Sequence, residues 1–319
     1  MTTLTPGRTR TVPQWWRVPT TIRWGIGLAF AAAIVSGFSV WVNSYAVKEV
    51  RDPAVFTTAK NLTVGLVLVA ALLSSSSKQS PRPRTKTHWT MLLSLGIVGG
   101  SVPFVLFFEG LSQSGPGNAA FIQKTLFIWV AILAVPLLGE RVGRWQVAAL
   151  GLLLCAQLLI GRPSSWAPGR GELMVLAATA FWTVETVIAR RLLPEVGVLL
   201  GATTRMGLGG IALFAYLTVQ GKLGAFFGLD AEQWRWVVST SAILLVYVTV
   251  WYAALRRAPA TVVTSILTLG APITALLATW SGKPSPSGEQ MLGYAILAVG
   301  LAVVAVATRP AHTSQAALA

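Results

Sequence analysis

Long apolar stretches dominate the chain from Trp24 onward, and short breaks that contain Gly, Pro or Arg separate them. Because a helix needs about 20 apolar residues to cross the hydrocarbon core of a bilayer, this pattern predicts ten membrane-spanning helices. We place these spans at 24–47, 53–73, 89–112, 117–138, 145–161, 171–192, 197–220, 235–255, 259–280 and 288–307. The first span is longer than the apolar part of a signal peptide, so we expect it to be retained.

The composition agrees with a polytopic membrane protein. Hydrophobic residues make up 54% of the chain and charged residues only 11%, whereas a soluble domain carries about 25% charged residues. An excess of 25 Lys and Arg over 10 Asp and Glu would suggest nucleic-acid binding in a soluble protein. Here the basic residues concentrate in the N-terminal segment and the loop at 78–86. We therefore predict contact with membrane lipids and no nucleic-acid partner.

The distribution of Lys and Arg also predicts the orientation. With both termini in the cytoplasm, 15 basic residues lie in inside segments and 7 in outside segments, as the positive-inside rule requires. We predict a multi-pass protein of the cytoplasmic (inner) membrane with cytoplasmic tails at 1–23 and 308–319. Three basic residues remain within the spans: Lys60, Lys124 and Arg205.

Two halves of the chain resemble one another. The segment "TTAKNLTVG" (57–65) aligns with "ATTRMGLGG" (202–210), which makes Lys60 and Arg205 corresponding residues. In the same way "FFEGLSQSGPGNAAFIQ" (107–123) aligns with "WYAALRRAPATVVTSIL" (251–267). Since each half has five spans, an odd number, the second half is inverted relative to the first. The predicted fold is an all-α membrane protein of ten transmembrane helices in two inverted five-helix repeats, 24–161 and 162–307.

The segment "WYAALRRAPATVVTSILTLGAPITALL" (251–277), which includes Pro272, and "LLGER" (137–141) are the most specific elements of the chain. On these residues the chain resembles an EamA-type member of the drug/metabolite transporter superfamily over about residues 24–307. The resemblance implies ten helices around a central cavity and transport of a small metabolite. The second half ends in "TWSGKP", where the pattern of the family has Gly-Glu, so Glu140 has no counterpart there.

The position of Lys124 within an apolar span calls for a partner or a cavity. An ionisable side chain at the centre of a span costs about 2.5–3.5 kcal/mol on insertion scales. Glu109, in span three, lies within about 6 Å of the depth of Lys124 when each residue rises 1.5 Å. We therefore predict that Glu109 and Lys124 form a pair, with Lys60 in the same outer half of the membrane.

The inverted half offers a second group, Glu185 with Arg205. Our hypothesis is that all five charged residues line the transport path, contact an anionic or zwitterionic solute, and that Glu185 or Glu109 carries a coupling proton. The alternative is that Lys60 and Arg205 reach an interface or form packing ion pairs without touching substrate.

Aromatic and polar residues near these charges are candidates for a cavity wall. Trp41 and Trp182 occupy like positions in spans one and six, and Asn43 is a hydrogen-bonding candidate near Trp41. The further aromatic candidates are Trp129, Trp251 and Tyr252. Their alternative role is to sit at the membrane interface, where Trp and Tyr are common.

Small residues and one proline complete the set. The pair Gly96 and Gly100 and the run at 207–210 predict close helix packing. Pro272 interrupts span nine, and we regard it as a hinge candidate, with a static kink as the alternative.

Taken together, the sequence favours a secondary active transporter, an exporter, that moves a small-molecule substrate such as an amino acid or organic acid by alternating access. Proton coupling is a weaker hypothesis, and a homodimer is left open. The alternative is a membrane scaffold or lipid-interacting protein without solute flux. Because the sequence has no catalytic, metal-binding or nucleotide-binding motif in a suitable structural context, we predict neither an enzyme nor a cofactor.

Overall fold

The computed structural model describes residues 20–75, 83–114, 116–161, 169–282 and 284–307. Most of the predicted cytoplasmic tail at 1–23, much of the basic loop at 78–86 and the whole predicted tail at 308–319 lie outside these described residues.

The described chain is helical in every long element. The first half contains α1 (Thr20–Val50), α2 (Pro53–Ser74), α3 (Lys86–Ser94), a π-helical turn (Leu95–Gly99), α4 (Val102–Ser114), α5 (Pro116–Lys124), α6 (Leu126–Leu138) and α7 (Arg144–Ile160). The second half contains α8 (Arg170–Val196), α9 (Val198–Val219), α10 (Leu223–Phe227), α11 (Ala231–Arg257), α12 (Ala260–Leu267), α13 (Gly270–Trp280) and α14 (Gly288–Ala307).

Nine helical segments among the described residues are long and apolar enough to cross a membrane. Three of them are composite: α3 to α4, α5 with α6, and α12 with α13. The tenth predicted span is α7, an apolar helix of 17 residues that is slightly shorter than the others. The predicted all-α membrane fold is therefore confirmed.

Side chains define where several spans begin. Asp52 precedes α2, and its carboxylate accepts hydrogen bonds from the backbone N–H groups of Ala54 and Val55 at 2.9 and 3.2 Å. Asp230 precedes α11 and accepts from the N–H of Gln233 at 2.8 Å. Such caps satisfy N–H groups that have no partner within the helix, and they fix the boundary between loop and span.

The pattern of helix contacts stays the same when the two halves of the chain are exchanged. The most extensive contacts join α1 with α11, α4 with α8, α2 with α9, and α7 with α14. Exchanging span one for six, two for seven, three for eight, four for nine and five for ten turns this set into itself. The contact of α1 with α13 is likewise matched by that of α8 with α6. The packing therefore has the symmetry that the sequence repeat predicts.

Glycines bring span three against span seven. A Cβ atom on Gly209 would lie 2.6 Å from the backbone of Gly100, so a larger residue does not fit there without a shift. A Cβ on Gly96 would likewise meet Leu208 at 2.6 Å. The structure thus confirms the close packing predicted from these glycines. It also holds the neighbouring turn of α9, which carries Arg205, close to span three.

Two spans are broken near their middle. Span four is interrupted at Thr125, between α5 and α6, and span nine at Thr268 and Leu269, between α12 and α13. The alignment of 107–123 with 251–267 extends to these residues, so the two breaks correspond. Pro272 lies just after the second break, where its missing N–H cannot bond to the carbonyl four residues earlier. The hinge at Pro272 stays a prediction.

Candidate functional site

A cavity of about 300 Å³ lies between the two halves, at the lower end of the size range of ligand pockets. Residues from spans one to four and six to nine form its wall. Four of the predicted charged residues line it together: Lys60, Lys124, Glu185 and Arg205. Asn43, Trp182 and Trp251 also contribute to this wall. The structure thus brings most of the candidate residues together in one place.

Lys60 projects from α2 toward α1. Its Nζ donates a hydrogen bond to Oδ1 of Asn43 at 2.9 Å, and it lies 4.8 Å from the centre of the Phe56 ring. The amide of Asn43 in turn donates to the hydroxyl of Ser39 at 3.1 Å. Because Asn43 is neutral, this contact satisfies a donor of Lys60 but does not balance its charge.

Arg205 projects from α9 toward α8 in the corresponding manner. Its Nε lies 3.2 Å from Oε1 of Glu185, close enough for an ion pair although the angle does not qualify as a hydrogen bond. Both side chains are buried. The two residues that the sequence placed in a second charged group thus form an ion pair.

Tyr252 lies behind this pair and not on the cavity wall. Its side chain is fully buried, and its hydroxyl donates to Oε1 of Glu185 at 2.6 Å. Gly99, in the π-helical turn, leaves the space that Glu185 occupies, since a Cβ there would overlap the Glu185 side chain. Tyr252 therefore positions Glu185 and does not itself contact the cavity.

Lys124 is the last residue of α5, immediately before the break in span four. The carbonyl end of a helix favours a positive charge, so this half-helix contributes to accommodating the ammonium group. The structure contains no ion pair or hydrogen bond from the Lys124 side chain to any described residue. Its counterpart in the second half is Thr268, which lies at the other break and lines the same cavity.

Three further candidates lie elsewhere. Glu109 is not part of the cavity wall: it is exposed and accepts a hydrogen bond from the Tyr216 hydroxyl at 3.4 Å. The predicted pair of Glu109 with Lys124 is not formed, because similar depth does not place two side chains on facing sides of their helices. Trp41 is also outside the wall, where its indole N–H donates to the Ser281 hydroxyl at 2.8 Å. Trp129 is 41% exposed and likewise does not line the cavity.

Sequence reasoning missed several wall residues. Tyr247 lies one helical turn before Trp251 and stacks on it with ring centres 6.3 Å apart. Phe104 and Phe107 pack against Trp182 at 5.5 and 5.6 Å. The spacing of four residues from Trp251 is a signal that identifies Tyr247, whereas nothing in the sequence distinguishes Phe104 and Phe107 from lipid-facing residues.

Glu140 has a specific role that was also missed. Its carboxylate accepts from the N–H groups of Ala260 and Thr261 at 2.6 and 3.1 Å and from the Thr261 hydroxyl at 2.8 Å. It thereby caps α12 from the end of span four, at the end of the bundle that we predict to be cytoplasmic. Arg190 lies nearby and donates to the Leu255 carbonyl at 3.1 Å. The bonds of Glu140 tie the first repeat to the second at that end, and that of Arg190 joins α8 to α11 within the second repeat.

Within the described residues no group of three or more His, Cys, Asp and Glu side chains is arranged to hold a metal ion. The cavity wall carries ammonium, guanidinium, carboxylate, amide, hydroxyl and aromatic groups.

Known proteins resemble the chain along most of its length. A curated relative, the "Uncharacterized transporter sll0355" of Synechocystis, is 25% identical over 246 residues, which cover 70% of each chain. The "Uncharacterized transporter YyaM" of Bacillus subtilis is 24% identical over 54% of this chain and 58% of its own length. The "WAT1-related protein At3g02690, chloroplastic" of Arabidopsis thaliana is 25% identical over 57% of this chain and 46% of its own.

A solved crystal structure shares the fold, with a TM-score of 0.70 over 90% of this chain and 99% of the other at 19% identity. The model of the EamA-like transporter family matches the chain twice, at residues 23–162 and 169–306. Each match covers one five-helix repeat, as expected for a multi-pass membrane transporter built by duplication. With its fold, its repeats and nearly all of its length accounted for in this way, the chain belongs to the EamA-like transporter family.

Proposed function

We propose that the protein is a secondary active transporter that exports a small amphipathic metabolite across the cytoplasmic membrane by alternating access. The observation that carries the proposal is that Lys60, Lys124, Glu185 and Arg205, two from each repeat, line one cavity. A scaffold that used these charges for packing alone would pair each of them. Lys124 instead points to the cavity without an ionic partner among the described residues, as a ligand-binding group does.

The closure at one end of the bundle supports alternating access. Glu140 fixes the start of α12, and buried side chains of α11 and α12 fill the same end, among them Leu255, Val262 and Val263. If this end is cytoplasmic, as the distribution of basic residues predicts, the structure represents a state closed toward the cytoplasm. The corresponding breaks in spans four and nine are typical of transporters whose sites lie near the midplane.

Glu185 is the better candidate for the coupling proton. Among the described residues of the cavity wall it is the single acidic one, whereas Glu109 lies outside the wall. A carboxylate held by Arg205 and the Tyr252 hydroxyl changes its contacts when it takes up a proton, which provides a physical link between protonation and conformation.

The experiment is counterflow in proteoliposomes with three pools of labelled solutes: amino acids, organic acids and amphipathic cations. Wild type is compared with Lys124→Ala and Glu185→Gln, and with Lys48→Ala and Glu49→Gln as matched controls, since Lys48 and Glu49 are exposed and do not line the wall. We expect uptake of at least one pool in wild type and controls, and loss of uptake with Lys124→Ala. Absence of uptake from all pools in folded wild type would contradict the proposal.

Orientation and direction are tested separately. A fluorescent reporter fused to the C-terminus is expected to be protected from external protease in intact cells, which places that terminus in the cytoplasm. Inside-out vesicles are expected to accumulate the transported pool, whereas right-side-out vesicles are expected to accumulate less. Equal accumulation in both would contradict export.

A further inference from the structure

The cavity carries an excess of positive charge. Its wall has three cationic side chains, Lys60, Lys124 and Arg205, and Glu185 as the single acidic one among the described residues. Glu185 is already engaged by Arg205 at 3.2 Å and by the Tyr252 hydroxyl at 2.6 Å. Two ammonium groups, those of Lys60 and Lys124, therefore remain without a carboxylate.

The neighbours of these two groups do not neutralise them. Lys60 contacts the amide oxygen of Asn43, which is uncharged, and the face of Phe56. Lys124 lies at the C-terminal end of α5, which carries a partial negative charge, and no described carboxylate forms an ion pair with it. Burying an ammonium group without an anionic partner is unfavourable, so an anion that enters the cavity supplies what the protein omits.

Aromatic side chains form a large part of the remaining wall, beside hydroxyl, amide and aliphatic side chains. Trp182 with Phe104 and Phe107 forms one cluster, and Trp251 with Tyr247 forms another. Flat apolar surfaces of this kind favour an aromatic or other apolar body over a strongly hydrated ion.

The charges of the cavity wall also disfavour a substrate with a cationic group. The ammonium group of an amino acid needs a carboxylate or several carbonyl acceptors, and the one carboxylate on the described wall is engaged by two donors. Lys60 and Lys124 would also repel the ammonium group of such a substrate.

From these contacts we propose that the substrate is a small organic anion with an aromatic or apolar body and no cationic group. The proposal rests on the transport function given above and narrows its substrate class. Lys60 and Lys124 bind the anionic group, and the two aromatic clusters hold the body.

Three probes of equal body and different charge test the proposal: 3-phenylpropionate, phenylalanine and 2-phenylethylamine. Labelled 3-phenylpropionate is bound to detergent-solubilised protein, and each unlabelled probe competes. We expect 3-phenylpropionate to compete at a concentration at least tenfold below that of phenylalanine, and 2-phenylethylamine to compete least. Lys60→Gln and Lys124→Gln should each weaken binding at least tenfold, while the exposed control Lys48→Gln should not.

Loss of binding can also follow from misfolding, so each variant must elute as a single species in gel filtration. Lys124→Glu provides a second test, since it is expected to reverse the preference toward 2-phenylethylamine. Stronger binding of phenylalanine or 2-phenylethylamine to wild type overturns the substrate class. Counterflow of cations or amino acids without anion transport also overturns the proposed substrate class, but it leaves the transport function intact. Anion binding without counterflow of any pool leaves the binding site intact and overturns the transport function.

Discussion

Lys60 and Arg205 are corresponding residues of the two repeats, yet Arg205 lies 3.2 Å from a carboxylate of Glu185 while Lys60 lies 2.9 Å from the amide oxygen of Asn43. Each basic side chain reaches from the second helix of its half to the first. The duplicated geometry is thus retained, whereas the charge of the partner differs. The cavity is consequently not electrically symmetric between the halves.

The variant Asn43→Asp tests the importance of this difference. It supplies Lys60 with a carboxylate of nearly the same shape, so the excess positive charge of the cavity falls. We expect binding of 3-phenylpropionate to weaken several-fold while the protein remains folded. The measurement is the same competition assay, with the exposed Glu49→Gln as control. Unchanged binding would show that the charge of Lys60 does not contact the anion.

Glu185→Gln tests proton coupling. A glutamine retains the size and hydrogen-bonding oxygen of Glu185 but takes up no proton, so exchange of bound substrate is expected to continue. Accumulation driven by a pH gradient is expected to be lost. The measurement compares counterflow without a gradient with uptake under an imposed gradient. Gradient-driven accumulation in the variant at the wild-type level would exclude Glu185 as the proton carrier.

Gly209→Ala tests the close approach of spans three and seven. The added methyl group would lie 2.6 Å from Gly100, and overpacking of this kind costs about 1–3 kcal/mol. We expect a lower thermal unfolding temperature in detergent. Gly207→Ala is the matched control on the same helix, because a Cβ at Gly207 meets no atom within 4 Å. Equal unfolding temperatures for the two variants would contradict the close packing.

Glu140→Ala removes the cap of α12. Two backbone N–H groups and the Thr261 hydroxyl lose their acceptor, and loss of a helix cap costs about 0.5–2 kcal/mol. We expect a lower unfolding temperature than that of wild type, measured by thermal denaturation in detergent. The exposed Glu49→Ala serves as control. A variant as stable as the control would mean that the bonds of Glu140 contribute nothing in solution.

The ion pair of Asp52 with Lys222 makes the stability of the fold depend on pH. Their side chains lie 2.8 Å apart outside the spans. Burial by itself raises the pKa of Asp52, but the hydrogen bond and charge of Lys222, with two backbone N–H groups, outweigh it and lower that pKa below its ordinary 3.8. The hydrogen bond to Asp52 raises the pKa of Lys222 above 10.5.

A lowered Asp pKa stabilises the fold above the unfolded-state pKa, and this stability is lost as pH falls through the folded-state pKa. A raised Lys pKa stabilises below 10.5, and the effect is lost as pH rises through the folded-state value. We expect wild type to exceed Asp52→Asn in unfolding temperature by a constant margin from about pH 5 to 9, because both groups are charged there. The margin should shrink below about pH 4, measured by thermal denaturation across this series; a margin that grows with acidity would contradict the pair.

Much of the fold follows from hydropathy because lipid accepts only long apolar helices, so the spans and their repeat can be read from the chain. The charged residues of the wall could be predicted for the same reason, because an ionisable group in a span is stable only in a cavity or beside a polar partner. Tyr252 shows the limit of this reasoning. It is adjacent to Trp251, and successive residues of a helix point about 100° apart, so Trp251 faces the cavity while Tyr252 packs behind it.

Glu109 shows a second limit. The rise per residue predicts the depth of Glu109 along its helix, but depth carries no information on which side of the helix a side chain occupies. The role of Glu140 could not be predicted either, since it depends on the end of span four meeting the start of span nine, which are 120 residues apart in the chain.

The break in span nine sets the length of the segment that could move at the end capped by Glu140. α12 has 8 residues and is therefore about 12 Å long, and the break at Thr268 separates it from the rest of its span. Under alternating access, α12 can move without an equal displacement of α13. The segment between the cavity and the predicted cytoplasm is then only about two helical turns long, and Glu140 binds its first N–H groups.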